Sequence, residues 1–306
     1  MLNTHPVLVI GSTGYLGSKI VTALLAQGHA VRALVRPGTD PSHISARGVE
    51  IVRGDLLDRS SLDLALKGAD AVVTSAAGYN KRRATDSSLA DTIGFENLAK
   101  AAKAAGTRRV VLTGVLKSEL ATDVPHFRNK QAQENLLEKM NVPFVSIRPG
   151  SFLNQSSDFF SRDIKKGKMV WIGSPNVPMS WITTEDLAKY LAMAVTAKGI
   201  EGQRIEVGLD QNLTPLQLAK VVEEVVGNPI KLQMLPWRLV GTILSIAGVF
   251  KETAKDFRAN LAFFQTGNFK MDDHRPQTNA FGAPPAAKES IKKWLMNSGA
   301  IPENKR

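Results

Sequence analysis

VLVIGSTGYLG, residues 7–17, joins a short apolar run to three glycines spaced three residues apart, and it decides the fold. Residues 7–10 predict a buried strand, and residues 18–26 continue with the apolar spacing of a helix. A sharp turn from strand to helix directs free backbone N–H groups and the positive end of the helix dipole at one point, which suits a pyrophosphate. Gly11, Gly14 and Gly17 would then allow a tight turn, close approach to phosphate and close helix packing. The alternative is a tight turn without a ligand.

Length and composition narrow the class of protein. A chain of 306 residues forms one large domain or two smaller ones. It lacks cysteine, which excludes disulfides, thiolate catalysis and cysteine-based metal sites. No apolar run approaches the roughly 20 residues that span a bilayer, and the first six residues carry no basic side chain of the kind a secretory signal needs. We therefore expect a cytoplasmic protein without a membrane span.

The net charge of +11 raises the question of a nucleic-acid partner. The basic residues lie in short, separate groups, and aromatic residues make up only 6% of the chain, so no stacking surface for bases is indicated. Solvated surfaces account for most of these charges, and a basic cleft for an anionic cofactor or substrate accounts for part of the rest. We predict no nucleic-acid partner.

Short β-branched runs alternate with longer amphipathic segments up to about residue 150, which predicts parallel βαβ units and a Rossmann-type, doubly wound α/β sheet. Beyond that point the elements are shorter and mixed. We expect a dinucleotide-binding core over residues 1–152 and a smaller C-terminal lobe over 153–306 that forms the substrate cleft. The predicted strands lie at residues 30–35, 49–52, 71–75, 109–113 and 143–148, and the helices between them at 60–67, 89–105 and 130–140.

In such a sheet, ligands bind beyond the carboxyl ends of the strands, where Arg36, Asp55 and Thr113 are expected to converge. An acidic residue closing the second strand would bind a free ribose 2′-hydroxyl, but here that strand ends in Arg36, with no carboxylate before Asp40. A guanidinium matches a phosphate with two parallel hydrogen bonds, which favours NADP(H) over NAD(H). Arg32 should share a face with Arg36 and assist it. The alternative is that Arg36 is only a solvated residue at a strand end.

The motifs GSTGYLG (11–17), VRALVR (31–36), GDL (54–56) and IRPGSF (147–152) together resemble atypical short-chain dehydrogenase/reductases, and within them the NmrA-like and isoflavone-reductase-like proteins. The likeness covers most of the chain but is dense in motifs only to about residue 152. It implies that the 2′-phosphate is bound by Arg36 and that the pyrophosphate is cradled by Gly11, Ser12, Thr13, Gly14, Tyr15, Leu16 and Gly17.

The same resemblance assigns the remaining cofactor contacts. Asp55 and Leu56 would border the adenine, although Asp55 also fits a plain turn after a strand. The other implied contacts are Ser75, Ala76 and Ala77 on the adenosine and ribose side, and Gly150, Ser151 and Phe152 beside the nicotinamide.

Short-chain dehydrogenases generally use Tyr-x-x-x-Lys, in which the lysine lowers the pKa of the tyrosine and binds the nicotinamide ribose. The matching segment here is 126–130, with Lys130 in place but His126 instead of the tyrosine. The tyrosines are Tyr15, Tyr79 and Tyr190, and Tyr15 lies in the glycine loop. Either His126 donates the proton, or Lys130 serves alone as ribose anchor or acid–base group. Otherwise the site binds cofactor without efficient turnover, and His126 is only a loop residue.

These features predict an NADPH-dependent oxidoreductase that transfers hydride to a small apolar carbonyl, enone or quinone. The alternative is a catalytically weak NADP(H)-binding sensor or regulator of the NmrA type. Phe152, Phe159, Phe160 and Trp181 can wall an apolar substrate pocket, or they can belong to the core. Both a monomer and a homodimer fit the sequence. No group of His, Asp and Glu residues has the spacing of metal ligands, so we predict no metal site.

Overall fold

The computed structural model describes residues 5–78, 89–154, 163–250 and 252–301. Its central element is a seven-stranded parallel sheet with the strand order β10-β6-β5-β4-β1-β2-β3. The order reverses at β1, whose neighbours are β2 on one side and β4 on the other. The predicted doubly wound α/β sheet is therefore confirmed. Its strands are β1 (Val7–Ile10), β2 (Val31–Val35), β3 (Glu50–Arg53), β4 (Ala71–Thr74), β5 (Arg109–Thr113), β6 (Phe144–Pro149) and β10 (Arg204–Val207).

The helices that accompany this sheet differ from the prediction mainly at their starts. The predicted helix over 89–105 begins with a π-helical turn, Ala90–Gly94, before regular α-helix. The predicted helix over 130–140 begins at Pro125, five residues earlier, so it includes His126. The helices of this part are α1 (Tyr15–Ala26), α2 (Ser42–Ser45), α3 (Arg59–Leu66), α4 (Phe95–Ala104), α5 (Pro125–Lys139) and α6 (Thr184–Met193).

One core cluster lies between the sheet and the helices α3, α4 and α5. It is built from aliphatic residues that alternate along the strands, such as Leu8 and Ile10, and from the apolar faces of the helices, such as Leu62 and Leu98. Burial of each Leu or Ile side chain contributes about 1.5–3 kcal/mol relative to exposure. This packing holds the carboxyl ends of the strands in fixed positions.

The chain divides into two compact units. The first comprises Met1–Ser118, His126–Arg148 and Leu187–Ile205, and the second comprises Glu119–Pro125, Pro149–Asp186 and Glu206–Arg306. The predicted boundary at residue 152 stays a prediction, and β10 shows that the central sheet takes a strand from beyond it.

The second unit contains two small parallel sheets, in which β7 (Ser151–Phe152) pairs with β9 (Trp181–Ile182) and β8 (Lys168–Ile172) with β11 (Lys231–Leu235). Thr214 and Gln217 form a capping box at the start of its first complete helix, and Pro215 occupies the first helical position. The helices here are α7 (Pro215–Val226), α8 (Trp237–Phe250), α9 (Glu252–Gln265), α10 (Arg275–Phe281) and α11 (Ala287–Asn297).

Candidate functional site

The three glycines of the loop between β1 and α1 lie at close contacts of decreasing tolerance for a side chain in the order Gly14, Gly11 and Gly17. Gly11 has φ +83°, and a Cβ there would lie 3.0 Å from the backbone nitrogen of Ala76. A Cβ on Gly14 would lie 3.2 Å from the Gly11 carbonyl oxygen, to which the Gly14 amide donates a hydrogen bond of 3.0 Å. At Gly17 a Cβ would lie 1.9 Å from that same oxygen, so no side chain fits. The loop thus lies close to both α1 and the segment after β4.

The N-terminus of α1 is open to a ligand. Its N-cap is Gly14, no side chain caps the helix, and its first turn contains no acidic residue. The first amides of a helix have no acceptor within it, so they and the helix dipole favour an anion here. Ser12 is fully buried and its hydroxyl donates to the Leu34 carbonyl, so its side chain is engaged within the protein. Tyr15 is exposed, and the Lys19 ammonium lies 4.4 Å from its ring centroid.

Arg36 begins a tight turn at the end of β2. The Thr39 amide donates to the Arg36 carbonyl at 3.1 Å, with Pro37 and a positive-φ Gly38 between them, as in a type II turn. Arg53, at the end of β3, donates to the carbonyls of Arg36 at 3.2 Å and Thr39 at 2.7 Å. The Arg36 side chain is exposed, and it has no hydrogen bond or salt bridge to any residue of the described ranges. Among the described residues, the Arg36 guanidinium is therefore free for a ligand, and the turn that carries it is fixed by hydrogen bonds.

No carboxylate competes with Arg36 from the residues that follow it. Asp40 accepts hydrogen bonds from the amide and the hydroxyl of Ser42, and these bonds lower the pKa of Asp40. The expectation that Arg32 assists Arg36 is wrong. Arg32 lies at the other end of β2, 2.9 Å from the Glu50 carboxylate, and donates to backbone carbonyls of α3 and the residue after it.

Asp55 and Leu56 follow β3 in a tight turn. One Asp55 carboxylate oxygen accepts the Leu57 amide at 3.0 Å, which is the turn role considered above. The backbone carbonyl of Leu56 accepts from Asn97, and the Leu56 side chain packs against the core cluster. Their contact with adenine stays a prediction.

The segment after β4 lies beside the glycine loop. The Ser75 amide donates to the Ile10 carbonyl at 3.1 Å, and the Ser75 hydroxyl lies 3.1 Å from the position of a Cβ on Gly11. Ala77 is exposed, whereas Gly78 is buried. Thr113, at the end of β5, donates to the Thr74 carbonyl. The structure thus brings the glycine loop and residues 75–76 together within the first unit.

Gly150, Ser151 and Phe152 belong to the second unit. The Ser151 amide donates to the Ser180 carbonyl at 2.8 Å, and a Cβ on Gly150 would lie 2.5 Å from that oxygen. Their predicted place beside the nicotinamide stays a prediction.

Lys130 is buried and its ammonium is fully engaged. It donates to the Ala76 carbonyl at 3.0 Å, to Asp91 Oδ1 at 2.9 Å and to Gln133 at 3.4 Å. The other oxygen of Asp91 accepts the Gly78 amide at 2.6 Å, and Gln133 donates to Asp91 in turn. Nothing in the sequence pattern marked Asp91 or Gln133 as a partner of Lys130. Lys130 thereby ties α5 and the π-helical turn to the segment after β4.

His126 lies one helical turn before Lys130 on α5, so the two side chains share a face. The ring is half-buried and stands at 90° to the Phe127 ring, with centroids 4.6 Å apart. Tyr190 is buried in α6, and Tyr79 lies outside the described residues. The catalytic assignments of His126 and Lys130 stay predictions.

A second buried network surrounds Glu134, which is fully buried. Ser146 and Arg148 both donate to its carboxylate, and Arg204 lies 3.2 Å from it. Arg204 also reaches Glu138 at 2.8 Å. The ion-pair partners of Glu134 are thus β6 and β10 residues rather than Lys130. This network joins α5 to the edge of the sheet and has no evident part in cofactor binding.

Trp181 lies in the core of the second unit. It is buried, and its indole N–H donates to the Leu213 carbonyl at 2.7 Å. It borders a small apolar cavity together with Trp171 and Trp294. This is the core role weighed above for Trp181. Phe159 and Phe160 lie outside the described residues.

The described residues contain no helix long and apolar enough to cross a membrane, and no cluster of three metal-ligating side chains.

Comparison with known proteins identifies the family of this chain. The model of the NmrA-like family matches residues 3–280. The chain belongs to the NmrA-like family. This confirms the resemblance drawn from the glycine loop and the strand-end motifs.

The chain's relatives include both assembly factors and reductases. It is 26% identical over 295 residues to photosystem II assembly factor Ycf39 of Synechocystis sp., covering 95% of this chain and 89% of that protein. It is 29% identical over 235 residues to (4-alkanoyl-5-oxo-2,5-dihydrofuran-3-yl)methyl phosphate reductase of Streptomyces griseus, covering 75% and 77%. The crystal structure of Citrobacter sp. triphenylmethane reductase complexed with NADP(H) shares the fold, with a TM-score of 0.74, 21% identity, and coverage of 94% and 99%.

Proposed function

We propose that the first unit binds NADP(H) at the carboxyl end of its sheet. The observation that carries this is the combination of an α1 N-terminus without a side-chain cap, a loop at Gly17 that admits no Cβ, and an exposed Arg36 guanidinium without a partner in the part of the chain that the structure describes. The backbone amides would hold the pyrophosphate, and Arg36 would bind the 2′-phosphate through two parallel hydrogen bonds. A structure of a similar fold has been determined with NADP(H), which agrees with this assignment.

We further propose that the protein is an NADPH-dependent oxidoreductase of a small apolar carbonyl, enone or quinone. The reductase among its relatives supports this reaction class. Bound NADPH would supply the hydride. The protein's part would be to fix the cofactor and to let a proton reach the acceptor oxygen.

The state of Lys130 limits which group moves that proton. An ammonium has three donors, and those of Lys130 have acceptors in Ala76, Asp91 and Gln133. Lys130 would therefore act by positioning the segment after β4, and His126, one turn away and half-buried, is the better candidate donor.

The same observation favours a second candidate function. With Lys130 engaged and no tyrosine at position 126, the unit can bind cofactor without efficient turnover. Its similarity to an assembly factor agrees with such a role. The protein would then act as a regulator or sensor that responds to bound NADP(H).

Titration separates cofactor choice from catalysis. Arg36→Gln should weaken NADPH binding about ten- to a hundredfold, since a hydrogen bond to a charged group contributes roughly 1.5–3 kcal/mol, and should leave NADH binding unchanged. Arg59→Gln, which removes an arginine paired with Asp63 on α3, is the control. Equal loss of both cofactors in Arg36→Gln would contradict the 2′-phosphate assignment.

Turnover is tested by following NADPH oxidation with a panel of quinones, enones and aldehydes. Oxidation that falls in His126→Ala and persists in His126→Tyr would support the reductase and its proton donor. Tight NADPH binding with no oxidation by any acceptor would reject the reductase in favour of the regulator.

A further inference from the structure

A continuous apolar surface covers one side of α8. Leu239, Ile243, Ile246 and Val249 are 59%, 57%, 64% and 77% exposed. Their spacing of four, three and three residues places them on one side of the helix, and we call these four residues the α8 strip. Met234 and Leu235 of β11, shortly before α8 in the chain, are also exposed. Contiguous exposed apolar surface of this kind marks an interaction site.

The α8 helix packs with one side and exposes large aliphatic residues on the other. Trp237, Val240, Leu244 and Gly248 are partly buried, and Gly241 is buried. A Cβ on Gly248 would lie 3.4 Å from Lys255 of α9, so the two helices approach closely there. A surface helix of a soluble domain turns its large aliphatic residues inward. Leu239, Ile243, Ile246 and Val249 instead face outward, so the α8 strip lacks an apolar partner among the described residues.

The charges around the strip indicate what covers it. Residues 239–250 contain no charged side chain, and they are bounded by Arg238 and Lys251. Between residues 231 and 265 the chain has five basic and two acidic residues, within a protein of net charge +11. The exposed cations among the described residues of this segment are Lys231, Arg238, Lys255 and Arg258. A second copy of this chain would bring like charges together, whereas anionic lipid headgroups complement them.

We propose that the α8 strip binds the surface of an anionic lipid bilayer. A helix of 14 residues is about 21 Å long at 1.5 Å per residue, too short to span the bilayer's hydrocarbon core. It would lie in the interface plane, with the aliphatic side chains among the acyl chains and the surrounding cations at the headgroups. The inference does not depend on the cofactor or the reaction proposed above.

Sedimentation with vesicles tests the inference on the full chain. The probes are vesicles of phosphatidylcholine alone and of phosphatidylcholine mixed equally with phosphatidylglycerol. We expect binding to the mixed vesicles, weakened by salt, and about tenfold weaker binding in Ile246→Gln, since each buried aliphatic side chain contributes at least this factor. Leu64→Gln changes an aliphatic side chain of α3 that is also exposed, and should bind like the wild type.

Three results would overturn the inference. The first is no sedimentation of the wild type with the mixed vesicles. The second is equal loss of binding in Ile246→Gln and Leu64→Gln. The third is a dimer in solution that Ile246→Gln disperses while lipid binding is absent, which would assign the strip to a second copy. Thermal unfolding midpoints within a degree or so of wild type show that the variants are folded, because both side chains lie outside the core.

Discussion

Replacing Asp91 with asparagine should lower the free energy of unfolding by about 3 kcal/mol. The Asp91 carboxylate lies 2.9 Å from the Lys130 ammonium, and the two side chains are only 2% and 11% exposed. Asparagine keeps the shape but has one acceptor oxygen for three donors, Lys130, Gln133 and the Gly78 amide. A buried cation then loses its counterion. Breaking a buried pair from one side costs about 3–5 kcal/mol, and the lower value applies because Lys130 keeps the Ala76 carbonyl.

Denaturant unfolding, followed by circular dichroism, measures this loss. Glu96→Gln is the control, since it breaks a pair with Lys100 that is also close, at 2.6 Å, but about half exposed. That change should cost less than about 0.5 kcal/mol. Adding Lys130→Met to Asp91→Asn should recover part of the loss, because no unpaired cation then remains buried. An Asp91→Asn protein as stable as Glu96→Gln would refute the reasoning.

Two further predictions concern the glycine loop and a helix cap. Gly17→Ala should destabilise the protein by about 1–3 kcal/mol and abolish thermal stabilisation by NADPH, because its Cβ would lie 1.9 Å from the Gly11 carbonyl; Gly241→Ala, with 3.4 Å of clearance, should do neither. An NADPH-induced shift of wild-type size in Gly17→Ala would contradict this. Hydrogen bonds from the Ser60 hydroxyl and the Ser61 amide lower the pKa of Asp58 from its usual 3.8. The stabilisation of the folded state by ionised Asp58 is therefore fully present above this usual pKa, and it is lost as the pH falls through the lower pKa of the folded state. The gap in unfolding midpoint between wild type and Asp58→Ala should therefore close on acidification, and a gap independent of pH would exclude this cap as the cause.

Much of the fold follows from local pattern. The strands predicted at 71–75 and 109–113 lie within one residue of their observed bounds, because short β-branched runs are typical of buried strands. The glycine spacing likewise predicts the turn into α1, since Gly11 has a positive φ and Gly17 leaves no room for a side chain. These features depend on residues that are close together in the sequence, so one sequence is enough to predict them.

The polar contacts of the site could not be predicted in this way. Lys130 and Asp91 are 39 residues apart, and nothing in either local sequence marks the other as its partner. Glu134 lies one turn beyond Lys130 on α5, yet it pairs with Arg148 and Arg204 of the sheet, which are distant in sequence. The contact of Arg53 with the Arg36 turn is one that the sequence pattern could have predicted. It immediately precedes Gly54-Asp55 at the end of β3, beside the end of β2, so strand register places it near Arg36.

The late position of β10 in the chain has a consequence for biosynthesis. The Ser146 amide of β6 donates to the Gln203 carbonyl, and Arg204 shares the Glu134 carboxylate with Arg148. More than fifty residues separate β6 from β10, so during synthesis on the ribosome β6 is complete well before its outer neighbour in the sheet has been made. Until then it presents an unpaired strand edge of the kind that recruits other chains. A nascent chain stalled near residue 152 would contain every glycine of the loop between β1 and α1 and still be prone to aggregation. The central sheet is therefore protected at this edge only after synthesis has passed residue 207.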